Sequence, residues 1–403
     1  MRRNGMRIGA LTKVIALAVM ILVLAGGSAL AADPIKIAQV VGITGPLEAY
    51  AKQSVTGFKM GVEYATKGTF EVLGRPIEII VKDTQMKPDV GKQLLTEAFK
   101  DDNVDLAVGG VSSAVAGAML PVAEEFKKIL IVEPAVADSI TGKAWNRYIF
   151  RTGRNSSQDA ISNAVAIAKP GVVIATLAQD YAFGRDGVAA YKEAAIALGA
   201  KVVHEEYAPI QTTDFTAPVQ RIIQAMKDEQ GDKYLFIVWA GKGNPFKIVD
   251  MKIQEKYGIK ITTGGNILDA LKGYKPLEGM EGAGYYYYEN PKNEINDWLV
   301  TEHIKRFNSP PDFFTCGGMS AGIAVVEALS KAGSTDTEAL IKTMEGMHFF
   351  TPKGEMVFRA EDHQALQSMY HFKIVVKPDV EWAVPELVRE LTWKDMDIPI
   401  RNK

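Results

Sequence analysis

The sequence predicts an α/β protein of two lobes, each a parallel sheet flanked by helices. Three observations carry that prediction. Apolar runs of four to eight residues alternate with amphipathic stretches, which is the pattern of strands buried on both faces between helices. The pattern comes as two series, the second starting at "YIFRTGRNSSQ". About 370 residues follow an N-terminal leader, a length that suits two cores.

In the first series "IKIAQVV" reads as a strand and is followed by a helix-like segment from Tyr50 to Tyr64. "IEIIVKD" precedes a second helix from Pro88 to Lys100, "VDLAVGG" precedes the segment "GGVSSAVAGAMLP", and "ILIVEP" closes the series. In the second series "VVIATLA", "VVHEEY" and "YLFIVWA" are strands. "GRDGVAAYKEAAIALG" is a helix with Gly199 at its C-terminal cap. "APVQRIIQAM" and "NPFKIVDMKIQEKYG" supply two more. After "GAGYYYYE" come "EINDWLVTEHIKRF", "GMSAGIAVVEALSKAG" and "TEALIKTME", helices without new strands of comparable strength. Those helices are expected to return to the first lobe. The layout leaves a cleft between lobes, where ligand sites concentrate.

Residues 1–31 combine a basic start, "MRRNGMR", an apolar run from Val14 to Ala25, and the small-residue pattern "SALA". That is a cleavable secretory signal, too short in its apolar core to span a bilayer. A soluble, exported mature protein is expected. The leader holds four basic and no acidic residues, so the remainder carries 42 basic and 48 acidic residues, a formal charge of −6. This balance argues against nucleic acid or an anionic membrane as partner. The lone Cys316 cannot form an internal disulfide and reads as a buried small apolar residue.

The segment after "VDLAV" admits three chemistries. Ser112 follows a strand and opens a helix, as a nucleophile elbow does, so a serine hydrolase is one reading. A triad also needs a histidine held by an acid, and His204, His303, His348, His363 and His371 sit in no recognisable loop motif. No zinc-protease, P-loop or paired-cysteine motif occurs, no metal-ligand cluster is visible, and no cofactor is expected. In the second reading Gly109 and Gly110 let the backbone turn, and Ser112 and Ser113 present hydroxyls and free N–H groups at a helix start, a place for a carboxylate. In the third a serine caps the helix without any ligand; local sequence favours this equally.

Taken in order, the leader, "IKIAQVVGITGPLEAYAKQSVTGFKMGVEYA", "GGVSSAVAGAMLPVAEEFKKILIVEPAVADSIT", "YIFRTGRNSSQDA" and "DYAFGRDG" resemble the bacterial periplasmic solute-binding proteins of the leucine/isoleucine/valine-binding type. The likeness covers essentially the whole mature chain. It implies a two-lobed type I periplasmic binding protein fold with three inter-lobe crossings. It also implies capture of a small solute by lobe closure and delivery to a membrane ABC permease. Lobe 1 is expected over 32–153 plus 284–355, and lobe 2 over 154–283 plus 356–403, with no firm account of the tail from 378. A periplasmic, non-enzymatic monomer is expected.

The resemblance carries a site with it. Tyr50 matches a ring that covers the ligand. Ser112 and Ser113 match the carboxylate-binding serines. Ala135 and Ala137 match a strand-end pair at an amino acid's head group, and Phe183 matches an aromatic wall. The departures are informative. Asn155 stands where amino-acid binders have an acid, Ala137 where they have threonine, and Met319 where a tyrosine often opens the late helix. Near Asn266 the glutamate that meets the ammonium is absent. An unpaired buried ammonium is very costly, so these changes point away from an α-amino acid. What remains is a carboxylate end with an apolar wall of Tyr50, Phe183, Trp239 and Met319; Arg154 reads either as a cation for the carboxylate or as a solvated surface arginine. The expected ligand is an aromatic acid: a benzoate, a hydroxybenzoate or a hydroxycinnamate. A branched-chain amino acid and a small polar solute such as an amide remain the alternatives. The Tyr285–Tyr288 run lies near an expected crossing and reads as packing, with one hydroxyl available to the cleft floor.

Overall fold

The computed structural model describes residues 32–241, 243 and 245–403. The expected leader, 1–31, lies outside them. The first series forms β1 (Ile35–Val41), α1 (Glu48–Ala65), β2 (Glu71–Val72), β3 (Arg75–Asp83), α2 (Pro88–Lys100), β4 (Leu106–Gly109), α3 (Ser113–Phe126), β5 (Leu130–Val132) and β6 (Ile149–Arg151). The second forms α4 (Ser156–Ile167), β7 (Val172–Gln179), α5 (Ala182–Ala197), β8 (Lys201–Ala208), α6 (Thr216–Met226), β9 (Asp232–Val238), α7 (Ile253–Tyr257), β10 (Ile259–Thr263), α8 (Leu268–Leu271) and β11 (Glu281–Gly284). The remainder forms α9 (Glu294–Phe307), α10 (Phe313–Ala332), α11 (Thr337–Met344), β12 (His348–Thr351), β13 (Gly354–Phe358), β14 (Ala365–Leu366), β15 (Met369–Val375) and β16 (Val384–Leu391).

The first sheet has the order β2-β3-β1-β4-β5-β6, parallel except for the β2–β3 hairpin. The second is parallel with the order β10-β9-β7-β8. The connections therefore leave β1 and β4 in opposite directions in one lobe, and β7 and β9 in the other. At such a reversal the outgoing loops diverge and open a crevice at the carboxyl ends of the strands. These two reversals position the site.

Helix α10 is long and apolar enough to cross a membrane by composition, yet it is buried against α1. Gly57 and Gly61 of α1 lie on the backbone of Thr315 and Met319, and Gly318 and Gly322 of α10 lie on that of Ser54 and Phe58. A Cβ at any of the four would collide with the facing main chain, so the two helices move as one piece.

Two sequence expectations change here. "NPFKIVDMKIQEKYG" is no single helix: a 3₁₀ segment, Pro245–Met251, stops at Lys252, whose left-handed φ of 53° breaks the turn before α7. The boundary expected at 355/356 falls inside β13. Met356, Phe358 and Ala365 share the first core with Ile35, Phe58 and Phe150, whereas Phe372 and Ile374 join the second with Ile237 and Ile261. The first lobe thus extends through β14, and β15 returns to the second by pairing with β11. After β16 the tail comes back to the first lobe: Arg359 Nη1 donates to the Ile398 carbonyl at 2.6 Å, and Arg401 pairs with Asp138 at 2.9 Å. Cys316 is fully buried within α10, as expected.

Candidate functional site

A cavity of about 110 Å³ lies between the lobes, at both strand-order reversals. From the first lobe it is lined by Tyr50 after β1, Val111 and Ser113 after β4, and Ala135 after β5. From the second it is lined by Phe183 after β7, Trp239 after β9 and Asn266 after β10.

The strand-to-helix turn that delivers Ser113 requires glycine. Gly109 has φ +153° and passes so close to β1 that a Cβ would strike the Val40 carbonyl. Gly110 has φ +80°, and its Cβ would lie 2.8 Å from that of Ala116. Ser113 begins the 14-residue helix α3, whose N-terminal dipole end is therefore at the cavity. Its Oγ accepts the Ala137 N–H at 3.2 Å. No described residue accepts the Ser113 hydroxyl hydrogen, and the side chain lines the cavity.

Arg154 lines the cavity just before α4. Its Nε donates to Asp159 Oδ1 at 3.1 Å, and no described residue takes its two terminal amino groups. Its guanidinium carbon lies 5.1 Å from the Phe313 ring, 5.4 Å from Tyr285 and 5.9 Å from Phe314. Cation–π attraction and the Asp159 bond hold the charge in place with its side chain only 11% exposed. Asp159 also lines the cavity. Burial raises its carboxyl above the usual range, and Arg154 opposes that shift. Its second oxygen has no partner among the described residues.

The apolar wall is aromatic. Tyr50 packs on Phe314 with ring centroids 4.2 Å apart, Tyr285 on Phe313 at 5.2 Å, and Trp239 stands edge-on to Phe215 at 5.1 Å. Behind the floor, Lys353 Nζ lies 3.6 Å from the Tyr285 ring centroid and donates to Gln367 Oε1 at 2.8 Å. Glu133 accepts from Thr152 Oγ1 at 3.2 Å. Burial moves both groups to about 7, the lysine downward and the glutamate upward. No cluster of three histidine, cysteine or acidic side chains able to hold a metal occurs among the described residues.

Seven of the residues expected at the site meet here: Tyr50, Ser113, Ala135, Arg154, Phe183, Trp239 and Asn266. Four do not line the cavity, each for a local reason. Ser112 is the residue before the first turn of α3, and its side chain neither caps the helix nor reaches the lining. Ala137 is engaged on both sides of its backbone, its N–H by Ser113 and its carbonyl by Arg151 Nη1 at 2.7 Å. Asn155 caps α4 reciprocally with Gln158, Oδ1 accepting at 2.8 Å while its N–H donates at 3.0 Å. Met319 lies in the middle of α10 against α1 and not at the helix start.

Phe313, Phe314 and Asp159 were not anticipated. The aromatic pair opens α10 directly after its cap, Asp312, so "DFFT" is the legible signal. Asp159 stands five residues after Arg154, within reach across the first turn of α4. The histidines bond elsewhere, His204 with Glu206, His303 with the Ser309 carbonyl, His348 with Glu355, His363 with the Ile149 carbonyl and His371 with Glu281. None of the five lines the cavity.

Residues 34–378 match a family model described as periplasmic binding protein. A crystal structure of an ABC-type branched-chain amino acid transporter from Rhodopseudomonas palustris CGA009 is 66% identical. It covers 92% of this chain and 100% of its own, with a TM-score of 0.83. A solute binding protein of an ABC transporter from Rhodopseudomonas palustris BisB5, in complex with 3,4-dihydroxy benzoic acid, is 30% identical. It covers 91% of this chain and 99% of its own, with a TM-score of 0.78. Leu/Ile/Val-binding protein homolog 6 of Brucella abortus (strain 2308) is 24% identical over 380 residues, 91% of this chain and 94% of that protein.

Proposed function

This chain belongs to the periplasmic binding protein family, and we propose that the solute it captures for its ABC transporter is an aromatic carboxylic acid. Membership of that family, and the likeness to an ABC-type transporter protein, support a binding role in the periplasm with a membrane permease as partner. The observation that carries the ligand reading is Arg154. Its charge is fixed by Asp159, its terminal amino groups are unused, and its surroundings are the rings of Phe313, Phe314 and Tyr285. A carboxylate meets that guanidinium and the Ser113 hydroxyl, while a flat ring fills the wall of Tyr50, Phe183 and Trp239. The relative that binds 3,4-dihydroxy benzoic acid supports the same class.

One observation favours a second reading. The partnerless oxygen of Asp159 is an acceptor in the cleft, able to meet an ammonium beside a carboxylate on Arg154. That is the arrangement a branched-chain amino acid needs, and the 66% identical relative carries that designation.

A thermal-shift panel on ligand-stripped protein tests the choice. It sets benzoate, hydroxybenzoates and hydroxycinnamates beside leucine, isoleucine and valine. A ligand at 100 times its Kd adds about 2.7 kcal/mol of stability. Stabilisation by the aromatic acids alone is the expected result; stabilisation by leucine or valine alone replaces the first reading with the second.

A further inference from the structure

We propose that the Tyr50 hydroxyl is a closure latch: it ties the lobes together over the cleft and does not read the ligand. Tyr50 stands in the first turn of α1, on the first lobe. Its ring lines the cavity, but its hydroxyl is engaged elsewhere. It donates to Asn266 Oδ1 at 3.2 Å and accepts the Gly241 N–H at 2.9 Å. Both partners belong to the second lobe, on the loops that leave the neighbouring strands β9 and β10. The one hydroxyl hydrogen is therefore taken. Asn266 Oδ1 is aimed by a further bond from the Ile267 N–H at 2.8 Å.

The surroundings are built for this contact. Gly241, at φ +76°, lets the second lobe come up to the turn before α1, where a Cβ would lie 2.5 Å from Leu47 Cδ2 and 3.0 Å from the Pro46 carbonyl. A second bridge spans the same rim. Asp312, the cap of α10, receives the Leu268 N–H of the second lobe on both oxygens at 3.1 Å, and holds Gln53 of α1 at 2.8 Å. Because the glycine contacts make α1 and α10 one piece, both bridges are made or broken together as the lobes move. In an open cleft these groups return to water. The bonds thus favour the closed state alone, and they add the same factor to the affinity of every ligand that closes it. The inference does not depend on which solute is bound.

Tyr50→Phe keeps the ring and removes only the hydroxyl. Calorimetry and stopped-flow dissociation use benzoate, 4-hydroxybenzoate and leucine as probes. Each probe that binds the unmodified protein should weaken by one common factor, roughly tenfold, through faster dissociation. A loss confined to one probe means that the hydroxyl touches the ligand, and no loss means that it ties nothing; either result overturns the latch. A ligand-free arm keeps the test apart from the ligand reading. Residue-resolved hydrogen exchange of the Gly241 N–H should be faster in the variant, with the amides of β9 unchanged. Equal exchange at Gly241 overturns the proposal even if none of the three probes binds.

Discussion

Replacing Arg154 and Asp159, singly and together, separates the two ligand readings. Arg154→Met removes the guanidinium but strands the Asp159 carboxylate, whose side chain is only 29% exposed, so its loss of affinity mixes two effects. Arg154→Met with Asp159→Asn removes the pair without leaving a charge behind. Two charge-assisted hydrogen bonds from the guanidinium are worth at least about 3 kcal/mol, which is roughly a hundredfold in Kd for an aromatic acid. Asp159→Asn alone discriminates further. For an aromatic acid it takes away a like charge and leaves Arg154 in place, so affinity holds or rises. For an amino acid it deletes the ammonium's partner, and an uncompensated buried charge costs about 3–5 kcal/mol, a loss of more than a hundredfold. Isothermal calorimetry with 4-hydroxybenzoate and leucine reads each case, with thermal unfolding as the check on folding. A double variant that binds 4-hydroxybenzoate as tightly as the unmodified protein refutes the assignment of the carboxylate to Arg154.

Ser113→Ala removes both the acceptor for the Ala137 N–H and a donor to the ligand, so binding should weaken by about tenfold, while Ser112→Ala stays within about threefold; equal effects in calorimetry contradict the placement of the two serines. Asn155→Ala breaks the reciprocal cap of α4 and should cost about 1 kcal/mol in denaturant unfolding with ligand affinity unchanged. Glu133 is pushed up to about 7 by burial, against its ordinary 4.5. Between those values the fold holds a proton that the unfolded chain has released, so this group's contribution falls as pH rises through the window. Glu133→Gln should flatten the stability profile from pH 4.5 to about 7, and an equally steep profile in the variant contradicts the shift.

The sequence by itself determined the two α/β series, because parallel strands buried on both faces leave continuous apolar runs such as "VVIATLA" that need no partner to be recognised. It determined the turn into α3 for a similar reason: Gly109 and Gly110 are local conformational requirements. It also offered Arg154 and the Tyr50, Phe183 and Trp239 rings as site candidates, and all four line the cavity. The late antiparallel strands escaped. β16 exposes most of its length, with Leu387 and Val388 turned to solvent among charged residues, so its run carries no core signature. The tertiary structure alone decided which polar groups are free. Asn155 and Arg154 are adjacent and both polar, but the first is consumed by its own helix while the second is fixed by Asp159 and left with amino groups to offer. Met319 and Phe314 are equally apolar and sit on one helix; only the close approach of α1 at Gly57 and Gly61 buries the first in packing and leaves the second on the cavity. A side chain's availability depends on partners distant in the chain, and those are fixed by packing rather than by local sequence.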